Sequence, residues 1–322
     1  MNRLRQSTIM DASPPNLSTF VSASSLWMPN LITPDTEWLE HAPFGFWLVE
    51  MLRPKLIVEL GCYSGFSYSV FCQAVERLEL DARCYAIDTW LRNARIGVHA
   101  DTAFETLNSY NETHYHAFST LIRSDFDAAS ALFPTGTIDL LHVDSECTYP
   151  AAKANYENWR SRLSTRGVLL FHDTNTSEPD CGAARLWREL RNEFKSFEFL
   201  HCNGLGLLGI GSDLPPPLEA LFQSKHDSQL VHNIRLFYSR LGQSVVEQVS
   251  SPRSGFDVEL TRQLKRQNYL VAVASQQKAL LEVELTRQLT VAKVELDGVL
   301  QSTSWRITSP LRHLSRLLRA SS

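Results

Sequence analysis

The chain has 322 residues, of which 43% are hydrophobic and 20% are charged, and its formal net charge is -4 at pH 7. This composition is typical of a soluble globular protein rather than a disordered or membrane-spanning one, and the negative charge argues against broad binding of nucleic acid. The length is sufficient for one large α/β domain and an appendage.

The chain shows no recognisable targeting or membrane segment. Its first residues lack the continuous apolar stretch of a signal peptide, and no apolar run approaches the roughly 18 residues of a membrane span. Six cysteines are scattered without a C-x-x-C pair, which is typical of free thiols in a reducing compartment. These features predict a cytoplasmic protein.

The region before the first predicted strand has two parts. Residues 1–34 are rich in Ser, Pro, Asn and Thr and are predicted to form a flexible N-terminal arm. Residues 35–52 place aromatic side chains among helix formers, with an interruption at Pro43. This second pattern favours a helical segment, which is equally compatible with a lid over a substrate and with a helix that only covers the core.

The stretch LIVELGCYSGFS, residues 56–67, predicts a strand, a tight turn and the start of a helix. Its apolar run is typical of a strand buried on both faces of a parallel sheet. Gly61 and Gly65 bracket the turn, where the missing Cβ permits positive φ and lets a ligand lie against the backbone. Ser64 or Ser67 is predicted to cap the helix. The pattern lacks the third glycine of a dinucleotide fingerprint, which argues against a nicotinamide enzyme.

Two further predicted strands carry polar residues at their ends. Residues 83–88 end in Asp88, where an acid can accept hydrogen bonds from both hydroxyls of a ribose. A solvated aspartate at a strand end is the alternative. Residues 118–126 predict a third strand, and its tip would place Ser124 and Asp125 near an adenine.

The fourth and fifth predicted strands also end in candidate site residues. Residues 138–144 are apolar until Asp144, and residues 168–173 run into His172 and Asp173. Because ligands of an open parallel sheet bind at the carboxyl ends of its strands, these three side chains are candidates for the same site.

The remaining elements complete an α/β pattern. An amphipathic helix is predicted over 149–163, with Gly167 as its C-terminal glycine. A helix over 183–195 is followed by strand-like runs over 197–202 and 205–211. The predicted fold is a doubly wound, Rossmann-like sheet of seven strands.

The C-terminal third has a different composition. The consecutive prolines of DLPPPL, residues 213–218, predict a boundary, so that the main domain would span 35–212. Beyond it we predict a linker with helices over 213–256, a coiled-coil-like helix over 257–300 and a basic amphipathic tail over 301–322. The tail suits an anionic membrane surface or a partner helix, and a solvated end is the third alternative.

The glycine turn, Asp88, HVD and FHD follow one another in the order found in class I S-adenosylmethionine (SAM) dependent methyltransferases. The chain resembles in particular a bacterial family whose members are often fused or adjacent to surface-polysaccharide glycosyltransferases. The resemblance covers about residues 38–211 and is densest in VELGCYSGFSYSVFCQAVERL, CYAIDTW, RGVLLFHDTN and FEFLHCNGLGLLGIG. It implies that SAM is the cofactor, bound by Glu59, Gly61, Gly65, Ser67, Asp88, Ser124 and Asp125.

The resemblance also implies an activity and partners. The expected reaction is O-methylation of a sugar or glycan precursor in surface-polysaccharide biosynthesis. The C-terminal helix would mediate self-association or bind a glycosyltransferase at the periphery of the inner membrane.

In related O-methyltransferases, the acids that end the fourth and fifth strands hold a divalent metal. The resemblance therefore implies that Asp144 and Asp173 bind Mg²⁺ or another divalent cation, with His172 as a ligand or catalytic base. The chain departs from the usual D-G-x-H-x-Y-E pattern and reads DSECTYP, with Ser145, Cys147 and Pro150 in place of Gly, His and Glu. The departure leaves a second hypothesis open, a degenerate methyltransferase fold that serves as a scaffold or partner of glycosyltransferases.

Overall fold

The computed structural model describes residues 15–33, 36–91, 100–144, 148–176 and 181–250. The chain divides into two compact units, Met1–Ser251 and Pro252–Ser322. The predicted coiled-coil-like helix and basic tail lie outside the described residues and stay predictions.

Within the described residues, seven strands form one sheet in the spatial order β3-β2-β1-β4-β5-β7-β6. Their bounds are β1 Leu56–Leu60, β2 Arg83–Asp88, β3 Ser119–Arg123, β4 Ile138–Val143, β5 Leu163–His172, β6 Lys195–Phe199 and β7 Leu205–Gly209. Neighbouring strands from β3 to β5 run parallel, and β7 runs antiparallel to β5 and β6. The predicted seven-stranded α/β fold is confirmed.

Eight α-helices are present in the described part of the chain. Their bounds are α1 Ala42–Leu52, α2 Phe66–Arg77, α3 Ala100–His114, α4 Phe126–Ser130, α5 Tyr149–Arg160, α6 Gly182–Leu190, α7 Pro216–Gln223 and α8 Ser228–Ser250. Short 3-10 helices span Leu17–Phe20, Ala23–Leu26, Glu37–His41 and Ser224–His226. No helix among these residues is long and apolar enough to cross a bilayer.

The position of the site follows from the order of the strands. Chain order reverses between β1 and β4, and such a reversal opens a crevice at the carboxyl ends of the two strands. Gly61 follows β1 and Asp144 follows β4. The Asp144 amide donates to Leu60 O (2.9 Å), so the two strand ends are directly joined.

Residues 15–33 pack on the domain, which differs from the flexible arm predicted for residues 1–34; residues 1–14 lie outside the described residues. Phe20 is fully buried, and the Tyr238 hydroxyl of α8 donates to Phe20 O (2.7 Å). Gln73 of α2 donates to Met28 O (2.9 Å) and accepts from the Asn30 amide (2.7 Å). Composition alone missed this order because the anchoring partners lie far away in sequence.

The boundary predicted at residue 213 is not where the compact unit ends. The prolines of this stretch begin α7 instead, since Pro216 occupies the first helical turn, where a missing amide hydrogen costs little. Helices α7 and α8 then contribute Leu218, Phe222 and Ile234 to the same core as β1 and α1. Residues 213–250 are therefore part of the domain rather than a linker.

Gly167 does not end a helix, which corrects the prediction. Helix α5 ends at Arg160, and Gly167 lies inside β5. Its carbonyl accepts from the Ile210 and Gly211 amides (3.1 and 2.9 Å), and a Cβ at this position would lie 2.8 Å from Leu163 Cβ. The glycine therefore permits close packing of the backbone at the start of the strand.

Candidate functional site

The glycine turn joins β1 to α2 through residues in the left-handed conformation. They are Gly61 (φ 85°), Tyr63 (φ 44°) and Gly65 (φ 78°). The Gly61 amide donates to Ile87 O (2.9 Å) and the Gly65 amide to Cys62 O (2.7 Å). The prediction of positive φ at both glycines is confirmed, and these bonds fix the turn at the carboxyl edge of the sheet.

Helix α2 begins without a side-chain cap, which corrects the prediction for Ser64 and Ser67. The Ser64 hydroxyl donates to Thr33 Oγ1 (3.2 Å), and the Ser67 hydroxyl donates to Glu59 Oε1 (2.7 Å). Both hydroxyls bind side chains of other segments, so the first amides of the helix have no side-chain acceptor.

Glu59 is fully buried beneath the turn, beside the equally buried His142 of β4. His142 Nδ1 lies 3.2 Å from Glu59 Oε2. Burial raises the pKa of Glu59, although His142 and Ser67 partly oppose this effect. The predicted cofactor residues Glu59 and Ser67 thus bind each other in the core and hold β1, α2 and β4 together beneath the glycine turn.

Asp88 connects the end of β2 to the glycine turn. Its Oδ2 accepts from the Tyr63 amide (2.9 Å), and its Oδ1 accepts from the Trp90 amide (2.9 Å). Each carboxylate oxygen can accept a further hydrogen bond, and the residue is partly exposed. The arrangement is suited to two adjacent hydroxyl groups of a ligand.

Trp90 forms a wall beside Asp88 that the sequence analysis did not assign to the site. It is 2% exposed, and its ring centroid lies 4.9 Å from that of Phe104. Trp90 Nε1 donates to Tyr63 O (2.9 Å), and Arg123 donates to Trp90 O (3.4 Å). Its position two residues after the strand-end acid Asp88, in CYAIDTW, is the feature of the sequence that indicates a place in the site.

The tip of β3 lies next to Asp88. The Ser124 amide donates to Asp88 O (3.0 Å), so Ser124 lies beside the end of β2, and its role in binding SAM stays a prediction. Asp125 is exposed, and its Oδ1 accepts from the Ala128 amide (2.8 Å) as the N-cap of α4. This carboxylate therefore has a structural partner in the helix that follows, and its role in binding an adenine stays a prediction.

The space beside Gly65 belongs to the protein core, which corrects the expectation that a ligand fills it. A Cβ built on Gly65 would lie 2.3 Å from Leu107 Cδ1 of α3. Leu107 is 2% exposed. The glycine is thus required by helix packing and by its backbone angle, and the open side of the turn is at Gly61 and Asp88.

Three predicted residues meet at the ends of β4 and β5. His172 Nδ1 lies 3.3 Å from Asp144 Oδ1 and 3.4 Å from Asp173 Oδ1. Burial by itself lowers the pKa of His172, but Asp144 and Asp173 outweigh it and raise that pKa to about 9. Burial raises the pKa of Asp173, whereas His172 outweighs burial at Asp144 and lowers the pKa of that carboxyl.

Glu37 joins this cluster from the segment before α1. Glu37, His172 and Asp173 each offer one ligand atom, and these atoms lie within 4.8 Å of one another. Among the residues that the structure describes, no other group of three meets this criterion, and Asp144 is not a member. The side-chain Nδ2 of Asn203 also donates to Glu37 Oε2.

Asn203 is presented by an unusual turn between β6 and β7. Cys202 (φ 45°), Asn203 (φ 62°) and Gly204 (φ 89°) are consecutive left-handed residues. The Asn175 amide donates to Asn203 O (2.6 Å), and a Cβ on Gly204 would lie 2.6 Å from Asn175 N. The turn is therefore packed against the backbone that follows β5, which fixes Asn203 beside the carboxylates.

Two further histidines pack behind the cluster. His41 is fully buried, and its ring centroid lies 5.6 Å from that of His172 and 4.5 Å from that of His201. Burial and the neighbouring His172 hold the pKa of His41 well below its usual range. A neutral His41 therefore provides an uncharged back wall for His172.

The predicted site residues thus form two groups at the carboxyl edge of the sheet. Gly61, Asp88 and Ser124 lie at the ends of β1, β2 and β3, while Asp144 and His172 mark the other group at β4 and β5. The substituted positions Ser145 and Cys147 lie outside the described residues.

Residues 58–174 match a family model described as a methyltransferase domain, Methyltransf_24. Uncharacterized protein y4gI of Sinorhizobium fredii (strain NBRC 101917 / NGR234) is 38% identical over 221 residues, which are 69% of this chain. The match spans 24% of the length of that relative, so most of the relative has no counterpart in the matched segment.

Solved structures show weaker similarity. An SAH-bound methyltransferase of Podospora anserina, PaMTH1, is 15% identical with a TM-score of 0.41 and covers 52% of this chain and 76% of its own. A putative caffeoyl-CoA O-methyltransferase of Staphylococcus aureus is 14% identical with a TM-score of 0.42 and covers 56% of this chain and 84% of its own. Such TM-scores are too low to support an inference about activity.

Proposed function

We propose that this chain is a class I SAM-dependent methyltransferase that acts on a hydroxyl group of a sugar or glycan precursor. Its residues 58–174 match the methyltransferase-domain family model. The observation that carries the proposal is the clamp between Asp88 and the glycine turn, in which both carboxylate oxygens are fixed by the Tyr63 and Trp90 amides. A carboxylate held in this way is oriented for the two hydroxyls of a ribose before any ligand arrives.

The residues of this pocket fit SAM. Gly61 leaves the backbone of the turn accessible, and Asp88 retains acceptor capacity for both ribose hydroxyls. Trp90 supplies a buried aromatic wall. SAM carries no phosphate, which agrees with a turn that lacks the third glycine of a dinucleotide motif.

Bound SAM supplies an activated methyl group, so the protein has to orient the acceptor in line with it and remove the acceptor proton. The second group of residues suits this task because the pKa values of its two aspartates are shifted in opposite directions. Asp144 forms an ion pair with His172 and stabilises its protonated form. Asp173, with its raised pKa and partial exposure, is the carboxylate that accepts the proton of the acceptor hydroxyl.

The assignment of His172 differs from the catalytic base considered in the sequence analysis. With a pKa of about 9 in the metal-free protein, His172 carries its proton at neutral pH and is a hydrogen-bond donor to Asp144. It therefore positions the two carboxylates in our proposal, while the proton is taken up by Asp173.

The sugar or glycan acceptor is proposed from the resemblance to enzymes associated with polysaccharide glycosyltransferases. The same resemblance supports a role of residues 257–322 in recruiting the enzyme to a glycan assembly at the inner membrane. The departure DSECTYP favours the second candidate function, a scaffold that has lost catalysis.

Isothermal titration with SAM tests the cofactor site and separates the two candidates. We expect saturable binding to the wild type and a loss of at least about tenfold in affinity for Asp88→Ala, because charged hydrogen bonds contribute about 1.5–3 kcal/mol each. Asp81→Ala is the matched control, since Asp81 is an exposed aspartate ahead of the same strand. A well-folded wild-type protein that does not bind SAM would contradict the proposal of an active methyltransferase and favour the scaffold hypothesis.

A further inference from the structure

The group of residues at the ends of β4 and β5, where we place the acceptor, carries more negative charge than the surrounding residues neutralise. Glu37, Asp144 and Asp173 surround a single imidazole, that of His172, and Asn203 adds one uncharged donor. His172 is 5% exposed, yet its Nε2 has no hydrogen-bond partner, and the buried Asp173 Oδ1 accepts no hydrogen bond beyond its ion pair with His172 Nδ1 (3.4 Å). Buried polar atoms without partners are costly, so this end of the site is built for a ligand that interacts with them.

The spacing of these groups suits a metal ion. The ligand atoms of Glu37, His172 and Asp173 lie within 4.8 Å of one another. An ion about 2.4 Å from two oxygen atoms keeps them at most about 4.8 Å apart. Asp144 is outside this group and instead lies against His172 Nδ1, as a partner that orients a metal-binding histidine does.

Glu37 is held over the end of β5 by its neighbours in the chain. Trp38 is 1% exposed, and its ring centroid lies 5.2 Å from that of His142 and 5.5 Å from that of Phe71. Thr36 Oγ1 accepts from the Trp38 amide (3.2 Å) and caps this 3-10 turn. Glu37 itself is exposed, so a buried anchor fixes the backbone while the carboxylate remains open to a ligand.

We propose that Glu37, His172 and Asp173 bind one divalent cation. The cation displaces the proton from His172 Nε2, so the ligand is the neutral imidazole, and Asp144 orients the ring through Nδ1 without binding the cation. The cation would bind one oxygen of Asp173 and leave the other for the acceptor. The inference rests on the proposed function for the role of the cation beside the acceptor. This set of ligands differs from the expected pair, Asp144 and Asp173. Asp144 is not a ligand, and Glu37 lies outside the family match at residues 58–174.

The two carboxylates of this set suit Mn²⁺, and its imidazole suits a transition metal better than Mg²⁺, which makes Mn²⁺ the probe. We expect titration followed by electron paramagnetic resonance to show one saturable Mn²⁺ site per wild-type chain, with at least tenfold weaker binding to Glu37→Gln. Glu40→Gln, on the same 3-10 turn, should stay within twofold of the wild type. Equal affinities of the wild type and Glu37→Gln, or no saturable site in the wild type, would overturn the proposal.

A change of metal preference tests direct coordination by position 37. In Glu37→Cys a soft thiolate replaces the carboxylate, so Cd²⁺ should bind and produce the ultraviolet charge-transfer band of a cadmium–thiolate bond. Glu112→Cys, at an exposed position on α3, controls for the native cysteines. A band no stronger in Glu37→Cys than in Glu112→Cys would argue against coordination.

Titration of the same variants with SAM distinguishes this inference from the proposed function. We expect Glu37→Gln to bind SAM like the wild type, because Glu37 is bound by the Asn203 side chain, whereas Asp88 is bound by the Tyr63 and Trp90 amides. SAM binding without an Mn²⁺ site would contradict the proposed cation site and leave the methyltransferase proposal intact. If the chain has an Mn²⁺ site that depends on Glu37 but does not bind SAM, the proposed cation site is supported and the methyltransferase proposal is contradicted.

Discussion

The carboxylate of Asp88 accepts a hydrogen bond of 2.9 Å from the backbone amide of Tyr63, which lies 25 positions earlier in the chain. The bond ties the end of β2 to the turn after β1. The same carboxylate fixes Trp90 through its amide. One side chain thus sets the shape of the proposed cofactor pocket, and its removal should affect the empty protein as well as ligand binding.

We expect Asp88→Asn to lower the free energy of unfolding by about 1–3 kcal/mol. An asparagine has only one acceptor oxygen, so its amide group would face one of the two backbone donors now bound by Asp88. Urea unfolding of this variant and of Asp81→Asn provides the comparison. Equal losses in the two variants would show that the clamp contributes nothing specific.

Ser67→Ala should cost about 1–3 kcal/mol of unfolding free energy, because Glu59 would lose a hydrogen-bond donor while fully buried. Ser64→Ala, whose hydroxyl binds Thr33 at 3.2 Å in a less buried position, should cost less than half as much. Chemical denaturation at pH 7 measures both. A larger effect at Ser64 would argue that the buried contact is unimportant.

Gly65→Ala should destabilise the fold by about 2–4 kcal/mol, since the new Cβ meets Leu107 and the left-handed angle is unfavourable for a side chain. A double-mutant cycle with Leu107→Ala tests the cause. We expect the two changes to cost less together than the sum of their separate effects. Additive losses would mean that the backbone angle alone is responsible.

Stability should depend on pH through His172, whose pKa is raised from the ordinary 6.5 to about 9. The folded state holds this proton more tightly than the unfolded chain, so the contribution is fully present below about pH 6.5 and is lost as the pH rises through about 9. We expect the stability difference between the wild type and His172→Gln to shrink by about 2–3 kcal/mol over that range, in the presence of a chelator. Urea unfolding of the two proteins across this pH range measures the difference, and a difference that does not change with pH would contradict the prediction.

Deletion of residues 257–322 should leave SAM affinity unchanged and abolish self-association or binding to anionic vesicles. The reason is that the predicted basic face of the tail attracts an anionic surface, whereas the cofactor pocket lies in the first compact unit. Light scattering and vesicle sedimentation of the two proteins measure these properties. Identical mass and identical partition would contradict a recruiting role.

The sequence predicted those parts of the site that depend on local patterns. Strand ends at Asp88, Asp144 and Asp173 were recognisable because apolar runs stop there and parallel strands share one carboxyl edge. Gly61 was recognisable because a sharp turn after a buried strand needs positive φ.

The sequence could not predict contacts between distant segments. Glu37 and Asn203 are 166 positions apart, and neither lies in a pattern with a period. Tyr238 and Phe20 are 218 positions apart, so local composition alone predicts a flexible arm at the N-terminus. A glycine after an amphipathic segment often ends a helix, which is why Gly167 is predicted to do so. Here it lies in β5, where the missing side chain permits close packing of the backbone.

The packing of the N-terminal segment and α8 on the sheet has a practical consequence for the expression of fragments. A fragment limited to the family match at residues 58–174, or to 35–212, would lack partners of the core such as Ile234 and Tyr238. The aromatic and aliphatic surface of α1 would then face water, and contiguous apolar surface of this kind drives aggregation. The smallest fragment that should remain monodisperse includes α8 and the 3-10 helices that precede α1.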